Sequence, residues 1–169
     1  PPRDGAGWRC ASAGLCYAAP PVLASHAGCA EVCERFARST SGHHDVVPSA
    51  GLAFVGSNET SDFLVRYVLQ GRRHWIGLHR KPPAQLSYMP RKGLKQMDLH
   101  RMGTVETVQH GWTHWATFNG SEPHAPPQWV NWADRQPDAA MGREACVGIA
   151  GRGKWHDLGC ERPEFRCLC

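Results

Sequence analysis

The sequence predicts an α+β fold: two helices packed on short antiparallel sheets, with a long loop region, the whole stapled by disulfides. Three observations carry this. Apolar residues Phe63, Leu64, Tyr67 and Val68 recur at the helical period. Arg73 to Leu78 (RHWIGL) has the composition of a buried strand. Eight cysteines, an even number in 169 residues, read as a disulfide framework.

The elements follow in order. Residues 1–9 read as a tail, and 10–169 as one domain. Cys10 and Cys16 bracket ASAGL, short enough for a bridge closing a hairpin that continues into Tyr17. Ser25 to Ala37 has helical character, with Ser25 as its cap and Cys29 and Cys33 four apart on one face. Leu52 to Val55 reads as a short apolar strand. Asn58 to Asp62 opens the second helix, which stops near Gly71. An insertion at about 81–108 has prolines, scattered charge and no period, and a loop of that length is usually functional or mobile. From Trp112 short strands and turns alternate, ending in Phe165-Arg166-Cys167.

Composition sets the compartment. With 41% hydrophobic and 20% charged residues the chain is globular. No apolar run approaches the roughly 18–20 residues of a membrane span. Pro1 is not a translation start, so a mature fragment or the ectodomain of a membrane protein is expected. The cysteines, with the glycosylation sequons at Asn58 and Asn119, point to an extracellular glycoprotein. A net charge of +4 does not by itself imply a nucleic-acid partner.

The ordered motifs resemble the C-type lectin-like domain from Cys16-Tyr17 to Cys167. They are the helical Cys33, the FLVRYV helix, Trp75-Ile76-Gly77-Leu78, Trp115, Trp132, Gln136-Pro137-Asp138, Glu144-Ala145-Cys146, Trp155-His156-Asp157, Cys160 and Cys167. The resemblance implies bridges Cys33–Cys167 and Cys146–Cys160, with Cys10–Cys16 as the hairpin bridge of the family's longer forms. Cys29 lies one helical turn from Cys33 and Cys169 two residues past Cys167, so Cys29–Cys169 is inferred as a second, parallel bridge. Sequence leaves an exchange of partners within this set open.

The resemblance also implies calcium as a cofactor, held by Gln136, Asp138, Glu144 and Asp157, with two hydroxyls of a sugar completing the shell. QPD implies a galactose-type preference. Pro137 can take a cis peptide that turns Gln136 and Asp138 toward one point. Three departures stand against this. His156 replaces the usual asparagine, and imidazole is a poor calcium ligand. Ala145 replaces a common aspartate. Ala139-Ala140-Met141 lacks the tryptophan and glycine-rich loop of galactose binders. Beyond the calcium set, His156, Trp129 and Met141 are candidate ligand contacts. Trp75-Ile76-Gly77-Leu78-His79-Arg80 resembles natural-killer-receptor-like members, many of which bind proteins. The function expected is therefore a receptor or ligand that grips a protein through its long-loop face without needing calcium. The alternative is a calcium-dependent, galactose-type lectin. Such domains often dimerise, so a homodimer is a further expectation.

The remaining features resolve as follows. Arg80, Lys81, Arg91, Lys92, Lys95 and Arg101 form a basic stretch against the single acid Asp98, a candidate surface for sulfated glycans. Trp75, Trp115, Trp132 and Trp155 are expected in the core. Trp112 and Trp129 flank the variable region, with partial burial expected. The pair His110 and His114 is disfavoured as a chelate by Gly111 and Trp112, and His43-His44-Asp45 reads as a turn. No HExxH, GxSxG or P-loop occurs, and with the cysteines bonded no thiolate nucleophile remains, so no enzyme activity is expected.

Overall fold

The computed structural model describes residues 7–11, 14–40, 50–80, 112–114, 129–138 and 144–169. Strands β1 (Arg9–Cys10) and β2 (Cys16–Tyr17) form an antiparallel hairpin in which Cys10 stands opposite Cys16 and is bonded to it. After β3 (Leu23–Ala24), helix α1 spans His26–Thr40. Ser25 Oγ accepts the Gly28 amide at 3.2 Å, satisfying one of the donors a helix start leaves free. Cys29, Cys33 and Ala37 recur every four residues and form the buried face of α1. Helix α2 (Asn58–Tyr67) is capped by Ser57, whose hydroxyl accepts the Thr60 amide at 3.1 Å. Of its expected apolar stripe Leu64 is fully buried, whereas Tyr67 remains 36% exposed. The chain leaves α2 through Gln70 and Gly71, both in the left-handed region.

The main sheet is built from β3, β4 (His74–Arg80), β5 (Trp112–His114), β6 (Glu144–Ile149), β7 (Trp155–Gly159) and β8 (Phe165–Cys167). Its order is β3-β8-β4-β6-β7, with β5 also paired to β4. Only β4 and β8 run parallel; the other pairs are antiparallel. Alternation along β4 separates two cores. Ile76 and Leu78 join Val147, Ile149 and Trp155 on one face. Trp75 joins Phe165, Cys146 and the α1 cysteines on the other. Gly77 is required by a close approach: a Cβ there would lie 2.8 Å from the Leu52 carbonyl oxygen.

Two expectations are corrected. The bridges between α1 and the C-terminal segment are Cys29–Cys167 and Cys33–Cys169, not Cys33–Cys167 and Cys29–Cys169. The reason is chain direction. Pairing in this order means that α1 runs past the C-terminal segment in the same sense as β8, which itself lies antiparallel to β3. Four helical residues advance about 6 Å and two strand residues about 6.6 Å, so the two cysteine pairs meet in sequence order. Second, Leu52 to Val55 forms no strand. It is a largely buried stretch held through Ala53, which donates to Leu168 O at 2.8 Å and accepts from Gly77 N at 2.9 Å, one bond to each neighbour.

Candidate functional site

The loop face at the C-terminal end of β4 is assembled around a tryptophan stack. Trp155 pairs edge to face with Trp132 and Trp129, at 5.7 and 5.3 Å between centroids, and Trp132 packs tilted against Trp112 at 5.3 Å. Trp112 is 3% exposed, more deeply buried than its place beside the variable region implied, because β5 lies on β4. Backbone bonds from Trp155 N to Asn131 O and from Ala133 N to Trp155 O, both 2.9 Å, fix the 131–133 segment along the start of β7. Asn131 reinforces this: its Nδ2 donates to Gly153 O at 2.8 Å and its Oδ1 accepts Lys154 Nζ at 2.7 Å.

From that anchor the chain turns through Arg135, with φ of 60°, into a cis Gln136–Pro137 bond. Gln136 Oε1 accepts the Asp157 amide at 3.0 Å, and Asp157 Oδ1 accepts the Asp138 amide at 3.0 Å. These reciprocal bonds lock the loop to β7. Glu144, first residue of β6 and opposite Gly159, completes the arrangement. Carboxylate oxygens of Asp138, Glu144 and Asp157 lie within 4.8 Å of one another. Asp157 is buried, while Asp138 and Glu144 are partly so. His156, partly buried, is not in this convergent group.

Three carboxylates and one amide oxygen are hard donors of the kind calcium takes, and the residues present fit that ion. Unneutralised, like charges this close repel. One positive charge comes from the chain itself. Arg80 ends the face of β4 that carries Ile76 and Leu78. Register places Trp112 directly across from Arg80 and Asp157 across from Val147, on that same face. The Arg80 guanidinium lies over the Trp112 ring, 5.4 Å from its centroid. Its Nε is buried without a hydrogen-bond partner among the described residues. Burial pulls the Arg80 pKa below the usual arginine range, and the charges of Asp157 and Glu144 oppose that shift. Read from sequence, Arg80 belonged to the basic stretch; the fold turns it toward the acidic cluster. The signal was available in the alternation Ile76, Leu78, Arg80, which puts the arginine on a core-facing stripe.

Asn58 is exposed at the start of α2. Lys81, Arg91, Lys92, Lys95, Arg101, Met141, Asn119 and Trp115 lie outside the described residues. Among the described residues no helix is long and apolar enough to cross a membrane.

Comparison with known proteins agrees with this architecture. The family model for the lectin C-type domain matches residues 46–169. Human C-type lectin domain family 4 member G is 25% identical over 126 residues, which is 75% of this chain but only 33% of that protein, so the chain spans about a third of its relative's length. The carbohydrate-recognition domain of mouse scavenger receptor C-type lectin superposes with a TM-score of 0.61 at 20% identity, covering 96% of this chain and 91% of that one. The cow CD23 carbohydrate-recognition domain, solved in the presence of a GlcNAc2Man3 oligosaccharide, gives 0.56 at 20% identity, covering 96% and 95%. Human lithostathine gives 0.60 at 18%, covering 96% and 86%. The chain belongs to the C-type lectin domain family.

Proposed function

We propose that this chain is a non-enzymatic extracellular recognition domain that grips a protein ligand through the face built by Gln136, Asp138, Glu144 and Asp157, and does so without requiring calcium. The observation that carries this reading is Arg80. A resident guanidinium within electrostatic reach of Asp157 and Glu144 offsets part of the charge that a metal would otherwise neutralise. His156 and Ala145 point the same way, since each replaces an oxygen-bearing side chain of the family pattern.

The test is binding to a library of receptor ectodomains and to a glycan array, each run in millimolar calcium and in chelator. The reading expects a protein hit that survives chelation and is lost in Glu144→Lys. A glycan signal abolished by chelator, with no protein hit, overturns it.

A second reading, a calcium-dependent lectin of galactose-type preference, is favoured by one specific observation: three carboxylates converge within 4.8 Å beside the cis Gln136–Pro137 bond. It requires that calcium raise the melting temperature, because a ligand of the native state stabilises it. It also requires that Asp138→Ala abolish that rise together with galactose binding.

A further inference from the structure

At the other end of β4, six residues or about 20 Å from Arg80, a cavity of about 370 Å³ opens between β1, β2, the end of α2 and the starts of β4 and β8. Its lining includes Arg9, Arg72, Arg166, His74, Tyr17 and Tyr67, and no acidic residue among the described residues. Each arginine comes from a different part of the chain. Arg9 stands opposite Tyr17 in the hairpin. Arg72 follows the left-handed turn at Gln70 and Gly71 that ends α2. Arg166 pairs with His74 across β4 and β8. None of the three makes an ion pair among the described residues; the ion pairs of Arg38, Arg135 and Arg162 lie elsewhere.

The charges of Arg166 and Arg72 reach His74, which is 1% exposed and whose Nδ1 lies 3.3 Å from Arg72 O. Burial first, and then the charges of Arg166 and Arg72, lower its pKa to about 4 despite that backbone contact. The cavity floor is therefore neutral imidazole beneath arginines that make no ion pair among the described residues. The aromatic walls differ in role. Tyr17 donates its hydroxyl to Phe54 O at 2.9 Å and is buried. Tyr67, 36% exposed, lines the cavity with a ring that also packs on Phe63 at 5.3 Å.

We propose that this cavity is an anion subsite that takes a sulfated sugar, with Arg9, Arg72 and Arg166 around the sulfate ester and Tyr67 against the sugar ring. Guanidinium groups match tetrahedral oxyanions through paired N–H donors. The volume falls in the range of small-ligand pockets, roughly 300–1,000 Å³, and so has room for more than the bare anion. The site is separate from the loop face, so its occupancy does not depend on calcium or on the ligand read there.

The experiment is calorimetric titration of the whole chain with a sulfated heparin tetrasaccharide, with its desulfated counterpart, and with inorganic sulfate. Binding of the sulfated tetrasaccharide, weakening as salt rises, is expected. Losing one charge-assisted contact is expected to weaken it by about tenfold or more, so Arg72→Gln and Arg9→Gln each bind weakly and Arg72→Lys partly recovers. Arg72 is exposed, so its variants leave the fold intact. A combined Arg91→Gln, Lys92→Gln, Lys95→Gln variant is expected to bind as wild type. The proposal is overturned if Arg72→Gln and Arg9→Gln bind the sulfated sugar unchanged, or if the combined insertion variant alone abolishes binding. It is also overturned if inorganic sulfate binds as tightly as the tetrasaccharide, which would make the cavity a free-anion site.

Discussion

Replacing Arg80 with glutamine tests how the acidic cluster is held together. Unit charges 4.8 Å apart, the outer limit for the carboxylates of Asp138, Glu144 and Asp157, repel by about 1 kcal/mol in water and about 3.5 kcal/mol at an effective dielectric of about 20. Asp138 and Glu144 are partly exposed, which places their mutual term toward the lower figure, while Asp157 is buried. Arg80 opposes this repulsion through Asp157 and Glu144, and its stack on Trp112 adds about 0.5–1 kcal/mol. Arg80→Gln is therefore expected to lose about 1–3 kcal/mol in chelator. In a domain of this size that is a fall of about 2–12 °C in melting temperature. Scanning calorimetry with chelator and with millimolar calcium provides the assay. Wild type should respond little to calcium, whereas Arg80→Gln, with one positive charge fewer beside its acids, should recover part of its loss. Arg80→Lys keeps the charge and should melt close to wild type. If Arg80→Gln melts as wild type in chelator, or if wild type gains as much from calcium as the variant, the resident-cation reasoning is wrong.

Further outcomes follow from other parts of the fold. Gly77→Ala places a methyl 2.8 Å from the Leu52 carbonyl oxygen in a packed core, and chemical denaturation should show a loss of about 1–3 kcal/mol; an unchanged midpoint would refute that contact. His26 and His74 each have a folded pKa of about 4 against 6.5 unfolded, chiefly through burial, with His79 facing His26, and Arg166 and Arg72 facing His74. The unfolded chain thus binds more protons between these values. Their stabilising effect is complete above pH 6.5 and declines as pH falls toward 4, by up to about 3 kcal/mol each. Urea midpoints flat from pH 7 to 4.5 would contradict this. Replacing Cys146 and Cys160 together by alanine opens a 14-residue loop and should cost about 3 kcal/mol, read from the same denaturation curves.

What the sequence disclosed depended on whether the signal was local. Helix α2 was legible because its apolar spacing is carried within ten residues, although its cap proved to be Ser57, one residue before the stretch read as its start. The tryptophan order and the QPD triplet located the loop face for the same reason. The cysteine partners were not legible: spacing shows that Cys29 and Cys33 share a face, but not which way α1 runs past β8. Trp112 was misjudged because its burial depends on β5 pairing with β4, a contact across the long insertion. Arg80 was read as one of a run of cations, while strand alternation places it on the face of β4 that carries Ile76 and Leu78. The basic cavity left no local trace, since Arg9, Arg72 and Arg166 meet only in three dimensions.

The position of β8 has a consequence for biosynthesis. The last strand, β8, lies in the interior of the sheet, between β3 and β4; it ends at Cys167, and Cys169 follows two residues on, so both partners of α1 come at sequence separations of 138 and 136. At roughly 5–20 residues per second, translation leaves about 7–28 s between the appearance of α1 and that of its partners. During that interval β3 and β4 have no strand to join them, and the thiols of Cys10, Cys16, Cys146 and Cys160 all emerge before the partners of Cys29 and Cys33. Any bridge formed then must be exchanged once Cys167 and Cys169 arrive. Maturation of this domain is thus completed after synthesis of its final strand, and its yield rests on thiol exchange in the compartment that receives it.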